Sequence, residues 1–284
     1  MNFSFVIPTY NRCSRLQKTL ASLFVQTFQD FEIIVVDDGS TDETSAVVSA
    51  LATKESRLLY IQQEQRGASK ARNVGVKHAK GEYVVYIDSD DIAHEELLKN
   101  IYDHLNHDAR KTYGLVNHIR HIVLLDSAGH VIQEHPPFVI AETRPTLQDY
   151  YHWNVKTTSS GFFHKRSLWP NVRWDETLSY LEDWELLLQL GHLDEDGFLF
   201  IQEPLVTYTQ SYGGDGMCSN AQYADWATAF DVIYHKHKDD ALMVGQTWWP
   251  ERIEKYMLFQ AEVDEGKRLP QVYKYFPNFK SVQV

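Results

Sequence analysis

Four short apolar runs punctuate the first ninety positions of the chain: Phe3–Pro8, Phe31–Asp37, Leu58–Gln62 and Tyr83–Asp88. Rich in β-branched and aromatic residues and bounded by polar turns, they read as strands. Between the first two, Leu16, Leu20, Leu23 and Phe24 fall on one helical face. Asp42 and Glu43 stand where a helix N-terminus favours acidic residues, and a further helix is predicted over Ser69–Ala79. Strands alternating with helices of this length imply βαβ units. The expected fold class is therefore α/β, with a mainly parallel, Rossmann-like sheet carrying helices on both faces.

The pattern loosens from Gly114, where "GLVNHIRHIVLLDSAGHVIQEHPPFVI" alternates like a hairpin turning at Ser127–Gly129. A helical patch follows at Thr146–Trp153. In "YLEDWELLLQLG", Leu181, Trp184, Leu188 and Gly191 mark a helix with Glu182 and Asp183 in its first turn. Two late strand-like runs, Phe198–Ile201 and Leu205–Thr209, lead into the glycine-rich "SYGGDGMCSN", a candidate lid. Beyond about Tyr223 the chain reads as helices with tryptophans. The expected organisation is a catalytic domain over 1–220, divided into a nucleotide-binding half (1–110) and an acceptor-binding half (111–220), with a helical extension over 221–284.

The chemistry gathers where strands end. "VVDDGSTD" closes the second apolar run and "YIDSDD" the fourth, so Asp37, Asp38, Asp88, Asp90 and Asp91 meet at one sheet edge, where open α/β sheets collect ligands. A lone D-x-D also serves as a turn or a cap. Here its carboxylates repel one another, and protonation or a cation relieves that repulsion. Oxygen donors suit Mg2+ or Mn2+, and an ion of that kind brings a diphosphate within reach of an acidic protein.

Composition narrows the field. With 27 basic and 39 acidic residues the formal net charge is −12, which argues against nucleic acid as a partner. The two cysteines, Cys13 and Cys218, fit neither a disulfide framework nor a zinc pattern, and point to a reducing compartment. No run approaches the ~18 apolar residues of a membrane span, so the expected location is cytoplasmic, with a peripheral membrane contact left open.

"VIPTYNR", "VVDDGSTDET", "RGASKARNVGVKHAKGEYVVYIDSDD" and "YLEDWELLLQLG", in that order and spacing, resemble glycosyltransferase family 2, nucleotide-sugar-dependent inverting enzymes of the GT-A fold. The resemblance covers about residues 3–210. It implies that Pro8, Thr9, Tyr10 and Arg12 pack around a nucleotide and that Asp38 contacts its base, usually uracil. Gly67 lets the backbone pass close by, and Arg72 is the basic residue near the nucleotide. Asp88, with Ser89 beside it, lies at the ribose; Asp90 binds the metal, Mn2+ or Mg2+. Asp91 is expected as a structural neighbour capping the helix that starts near Glu95. Asp183 matches the catalytic base, and Glu182 stands as the alternative.

The activity implied is transfer of a sugar from a nucleotide-sugar donor, a UDP-sugar ahead of GDP- or dTDP-sugars, to a saccharide or lipid-linked acceptor in surface polysaccharide or glycan synthesis. A sugar nucleotidyltransferase is the alternative enzyme, but "PTYNRCSRL" lacks the glycine-rich phosphate loop it needs. A non-catalytic nucleotide-sugar-binding module is the third reading. Ser159, Ser160 and Gly161 either line the acceptor side or turn before a strand. His104 with His107 and His118 with His121 have metal-like spacing but no third ligand. Trp248 and Trp249 read as core residues, with sugar stacking as the alternative. A homodimer is left open.

Overall fold

The computed structural model describes residues 1–123, 158–211 and 223–243. Internal contacts divide the chain into two compact units, Met1–Ser219 and Asn220–Val284. In the first, β1 (Phe3–Thr9) is flanked by β2 (Phe31–Asp37) and β4 (Tyr83–Tyr86), and β2 by β3 (Leu58–Gln62), all parallel. Every residue of β1 and β2 is buried. That explains their continuous apolar sequence, since a parallel strand covered on both faces has no wet side to alternate with.

The connecting helices are α1 (Cys13–Phe24), α2 (Thr44–Ala52), α3 (Ala68–His78) and α4 (Leu97–His107). α1 buries Leu16, Leu20 and Leu23, the face expected from spacing. On the far side of β4 the sheet becomes mixed. β7 (Phe162–Lys165) runs antiparallel to β4, and β6 (Tyr113–Val123) antiparallel to β7. β8 (Phe198–Ser211) lies parallel to β6, and the short β5 (Ile92–Ala93) antiparallel to β8. The order is β3-β2-β1-β4-β7-β6-β8-β5. The change of direction at β4–β7 opens the sheet just where Asp88 leaves it, and Gly161 N donates to Tyr86 O at 2.8 Å to bind the two strands there.

Three local expectations are corrected. The two late strand-like runs are one strand, β8, interrupted in sequence by Pro204, which pairs with Asn117; register shifts on either side of Asn117 absorb the proline that cannot donate to the ladder. Asp91 does not cap α4. It is buried and accepts a short hydrogen bond from Ser160 Oγ, while Gln26 Oε1 takes the Leu98 N–H at the start of that helix. Leu181 precedes rather than opens its helix, α5 (Glu182–Leu193), in a left-handed conformation with φ 60°. The turn at Ser127–Gly129, the patch at Thr146–Trp153, the glycine-rich segment, and Trp248 and Trp249 lie outside the described residues. In the second unit, α6 spans Tyr223–Met243.

α3 lies tightly on β1. A Cβ at Gly75 would sit 2.4 Å from Val6 Cγ1 and 3.2 Å from Val6 Cγ2, so glycine permits the approach. Gly75→Ala gains helix propensity worth about 1 kcal/mol but overpacks the contact by about 1–3 kcal/mol. We expect a net loss of about 1 kcal/mol, relieved when Val6→Ala is added: in urea denaturation the valine truncation costs less in the Gly75→Ala background than alone. Strictly additive losses would show that the two elements do not meet at this point.

Candidate active site

The loops that follow β1 and β2 are tied to each other. Asn11 adopts φ 50°, a conformation to which asparagine is suited, and its Oδ1 accepts from Thr41 N at 2.7 Å and Asp42 N at 3.3 Å. Asn11 N donates to Ser40 Oγ at 2.8 Å. Asp42 completes the tie, accepting from Cys13 N at the start of α1 (3.1 Å) and from Thr44 N at the start of α2 (3.0 Å). The carboxylates of "DDG" divide the remaining work. Asp37 accepts from Tyr60 Oη at 2.6 Å and Ser40 N at 2.9 Å, closing its own loop against β3. Asp38 takes three donors, Gln63 Nε2 (2.7 Å) and Arg66 N (2.8 Å) on Oδ1 and Gly67 N (2.7 Å) on Oδ2. A carboxylate has about four acceptor positions, so Asp38 orients the β3–α3 loop and keeps one position on Oδ2. Gly67, at φ 92°, allows the chain to turn from that loop into α3.

α3 carries Arg72 into the interior, where its side chain is 2% exposed. One nitrogen donates to Asp88 Oδ1 at 2.9 Å and Ser159 Oγ at 2.8 Å, the other to Glu182 Oε1 at 3.1 Å. Ser159 in turn donates to Asp88 Oδ2 at 2.7 Å, and Ser160 Oγ accepts from Asp88 N at 2.9 Å. The guanidinium lies 4.5 Å from the Trp174 ring centre, a cation–π contact. Asn73, the next residue of α3, clasps the Trp174 backbone from both sides: its Nδ2 donates to Trp174 O at 2.9 Å, and its Oδ1 accepts from Trp174 N at 3.1 Å.

One positive charge thus serves two carboxylates, and they do not share it equally. Burial raises the Asp88 carboxyl, but the attraction and hydrogen bonding of Arg72, then Ser159, outweigh it, and Asp88 is held below the ordinary range. Glu182 goes the other way. Burial, only partly opposed by Arg72 and reinforced by the charges of Asp183 and Asp88, pushes it up to about 7. Asp183 stands beside it, half-buried at the start of α5.

Asp90 faces the β1–α1 loop. Arg12 makes a short ion pair with Asp90 Oδ2, and Arg15, one turn along α1, stands 3.7 Å from the same oxygen. Burial raises the Asp90 carboxyl, with Arg12 opposing and Asp88 adding. Asp88 and Asp91 are engaged by Arg72 and Ser160, which leaves Asp90 as the acid facing the two cleft arginines. Mg2+ and Mn2+ are commonly held by one or two carboxylates together with substrate phosphates and water, so this donor set fits such an ion if Arg12 yields the oxygen.

The structure therefore joins Arg12 to Asp90, Arg72 to Asp88 and Glu182, and Asp38 to Gly67. Pro8 and Thr9 are buried at the end of β1, Ser89 is buried beside Asp88, and Tyr10 is 39% exposed in the loop. Ser159 and Ser160 bond the strand-end acids, in agreement with the turn reading of that segment. Arg15, Gln63 and Asn73 are not marked by the sequence, and Asn11 is marked only as part of the Pro8–Arg12 loop. Asn11, in "YNR", carried a usable signal, because asparagine is enriched at positive φ; nothing local marks Gln63.

Known proteins resemble this chain in sequence and in fold. Poly(ribitol-phosphate) beta-N-acetylglucosaminyltransferase TarS of Staphylococcus aureus is 27% identical over 224 residues, 77% of this chain and 37% of its own. Glycosyltransferase GlyG of Streptococcus pneumoniae is 40% identical over 100 residues, 35% of this chain and 33% of its own. The chain thus spans about a third of each of these relatives. The structure of S. aureus TarS 1–349 in complex with UDP-GlcNAc superposes with a TM-score of 0.69 at 23% identity, covering 98% of this chain and 79% of that one. The mannosyltransferase PcManGT of Pyrobaculum calidifontis, in complex with GDP-Man and Mn2+, gives 0.61 at 17%, covering 98% and 78%. These structural likenesses establish a common GT-A fold. The family model described as Glycosyl transferase family 2 matches residues 4–169, more than half of the chain and every strand-end acid described above, and the chain belongs to that family.

Proposed function

We propose that the chain transfers a sugar from a UDP-sugar, with inversion and with a divalent ion, to a saccharide or lipid-linked acceptor. The observation that carries this reading is the Arg72 bridge, which joins Asp88 at the end of β4 to Glu182 at the start of α5 at one opening of the sheet. TarS, of the same fold, was solved with UDP-GlcNAc, which favours a UDP-sugar.

In the proposed reaction an acceptor hydroxyl oxygen bonds to the anomeric carbon as the bond from that carbon to the phosphate oxygen breaks. The electron pair leaves with the diphosphate, and Asp183 takes the hydroxyl proton. Glu182, turned inward onto Arg72, is the positioning residue of the pair. Asp38 and Gly67 shape the nucleotide end and Asp88 the ribose side, with Pro8, Thr9, Tyr10, Ser89 and Arg12 around them. Asp90 would hold the ion, and a bound ion there would supply neutralisation of charge on the leaving diphosphate.

Calorimetric titration of UDP, GDP and dTDP with and without Mn2+ tests the donor. We expect UDP to bind with Mn2+, and Asp90→Ala to lose that metal dependence; no binding under either condition would overturn the reading. Asp183→Asn should slow UDP release from a UDP-sugar by about 10²–10⁴-fold, the usual worth of a general base, while leaving UDP affinity within about twofold. Retained turnover, or loss of UDP binding as well, would remove Asp183 from the base role.

Glu182 links the site to stability. Its carboxyl ordinarily titrates at 4.5 and is pushed up to about 7, so between these values the folded chain holds a proton that the unfolded chain has released. The contribution is fully present below about pH 4.5 and is lost as pH rises through 7. Glu182→Gln keeps the neutral shape. Its stability relative to the native chain should therefore rise between pH 5 and pH 8 by on the order of 2 kcal/mol, read from urea midpoints, whereas parallel pH profiles would contradict a raised Glu182.

A further inference from the structure

Two kinds of arginine share this cleft. Arg72 is 2% exposed, bonds three side chains and stacks on Trp174, so it has no room to leave. Arg12 differs. Its backbone is fixed by its neighbour Asn11 and by Leu16 N, which donates to Arg12 O at 2.9 Å. Its side chain is 17% exposed, and the Asp90 carboxylate it reaches is 14% exposed. The pair is partly exposed, and a guanidinium on a long side chain anchored at Cα can reach another partner by rotation about its own bonds.

We propose that Arg12 is a reversible occupant of Asp90 that withholds this carboxylate from a bare divalent cation and yields it when a nucleoside diphosphate arrives with the cation. This rests on the reading of Asp90 as the metal-binding acid. The argument is one of charge. A divalent ion and a guanidinium on the same Oδ2 repel, so the ion must displace Arg12, and alone it offers that guanidinium no anion in exchange. A diphosphate does, since it presents the oxygen acceptors that guanidinium groups bind in a fork. Arg15, at 3.7 Å from Oδ2, adds to the cost of bare metal without closing on the oxygen. The site would therefore load metal together with nucleotide.

The test compares native chain, Arg12→Ala, Arg12→Gln and Asp90→Ala in two titrations. Mn2+ alone is followed by the electron paramagnetic resonance signal of the free ion to millimolar concentration; UDP is followed by calorimetry at saturating Mn2+. If Arg12 holds Asp90 about nine-tenths of the time, the apparent Mn2+ affinity is reduced about tenfold. Both Arg12 variants should then bind Mn2+ alone about tenfold more tightly, and bind UDP at least severalfold more weakly. A residue with a merely structural role would not move the two affinities in opposite directions. Unchanged, weaker or undetected Mn2+ binding in both Arg12 variants, or UDP binding that they leave unweakened, with UDP binding at saturating Mn2+ still weakened by Asp90→Ala, overturns the exchange and leaves the metal reading standing. If Asp90→Ala changes neither titration, the metal reading fails and the exchange falls with it.

Discussion

Arg72 carries a full positive charge on a side chain with almost no access to water, and such a charge is tolerable only if it is paired and hydrogen-bonded. The partners come from three distant places: Asp88 at the end of β4, Ser159 before β7 and Glu182 at the start of α5. Breaking a buried pair by removing one partner costs about 3–5 kcal/mol, so these segments are held to one another by the need of a single guanidinium. Trp174 covers its face, and Asn73 holds Trp174 by the backbone, so the enclosure is built from the same helix that presents the charge.

The sheet makes this meeting possible. Parallel strands β1, β2 and β4 deliver their carboxyl ends to one edge, and the antiparallel entry of β7 beside β4 brings Ser159 and Ser160 to that edge from the second half of the domain. The acids there then differ by surroundings rather than by type. Asp37 and Asp42 are consumed in tying loops, Asp38 orients the turn into α3, Asp91 is taken by Ser160, Asp88 belongs to Arg72, and Asp90 faces Arg12. The same side chain thus does different structural work at each position.

Sequence carried the first half of this fold well because β1, β2 and β4 are covered on both faces and so write themselves as unbroken apolar runs. It also carried the acids and Glu182–Asp183, whose type and position at strand and helix ends are local facts. What it did not carry depends on pairing. β8 was divided because Gln202, Glu203 and Pro204 break the apolar pattern, whereas in three dimensions a bulge opposite Asn117 accommodates them. Asp91 was assigned to the helix next to it in sequence, but its partner lies 69 residues away. Gln63 acts through its amide nitrogen and Ser159 through its hydroxyl, each on a partner whose position neither composition nor periodicity encodes.

The Arg72 bridge also bears on how such domains can be recombined. The guanidinium belongs to the half before residue 110, while the serine and glutamate that complete its bonding belong to the half that follows. A hybrid joining this first half to the second half of a relative would inherit a buried cation that keeps Asp88 but takes its remaining partners from the graft. The two halves are then not freely interchangeable modules: the graft must bring its own matched serine and acid, and the aromatic cover, before any question of substrate arises.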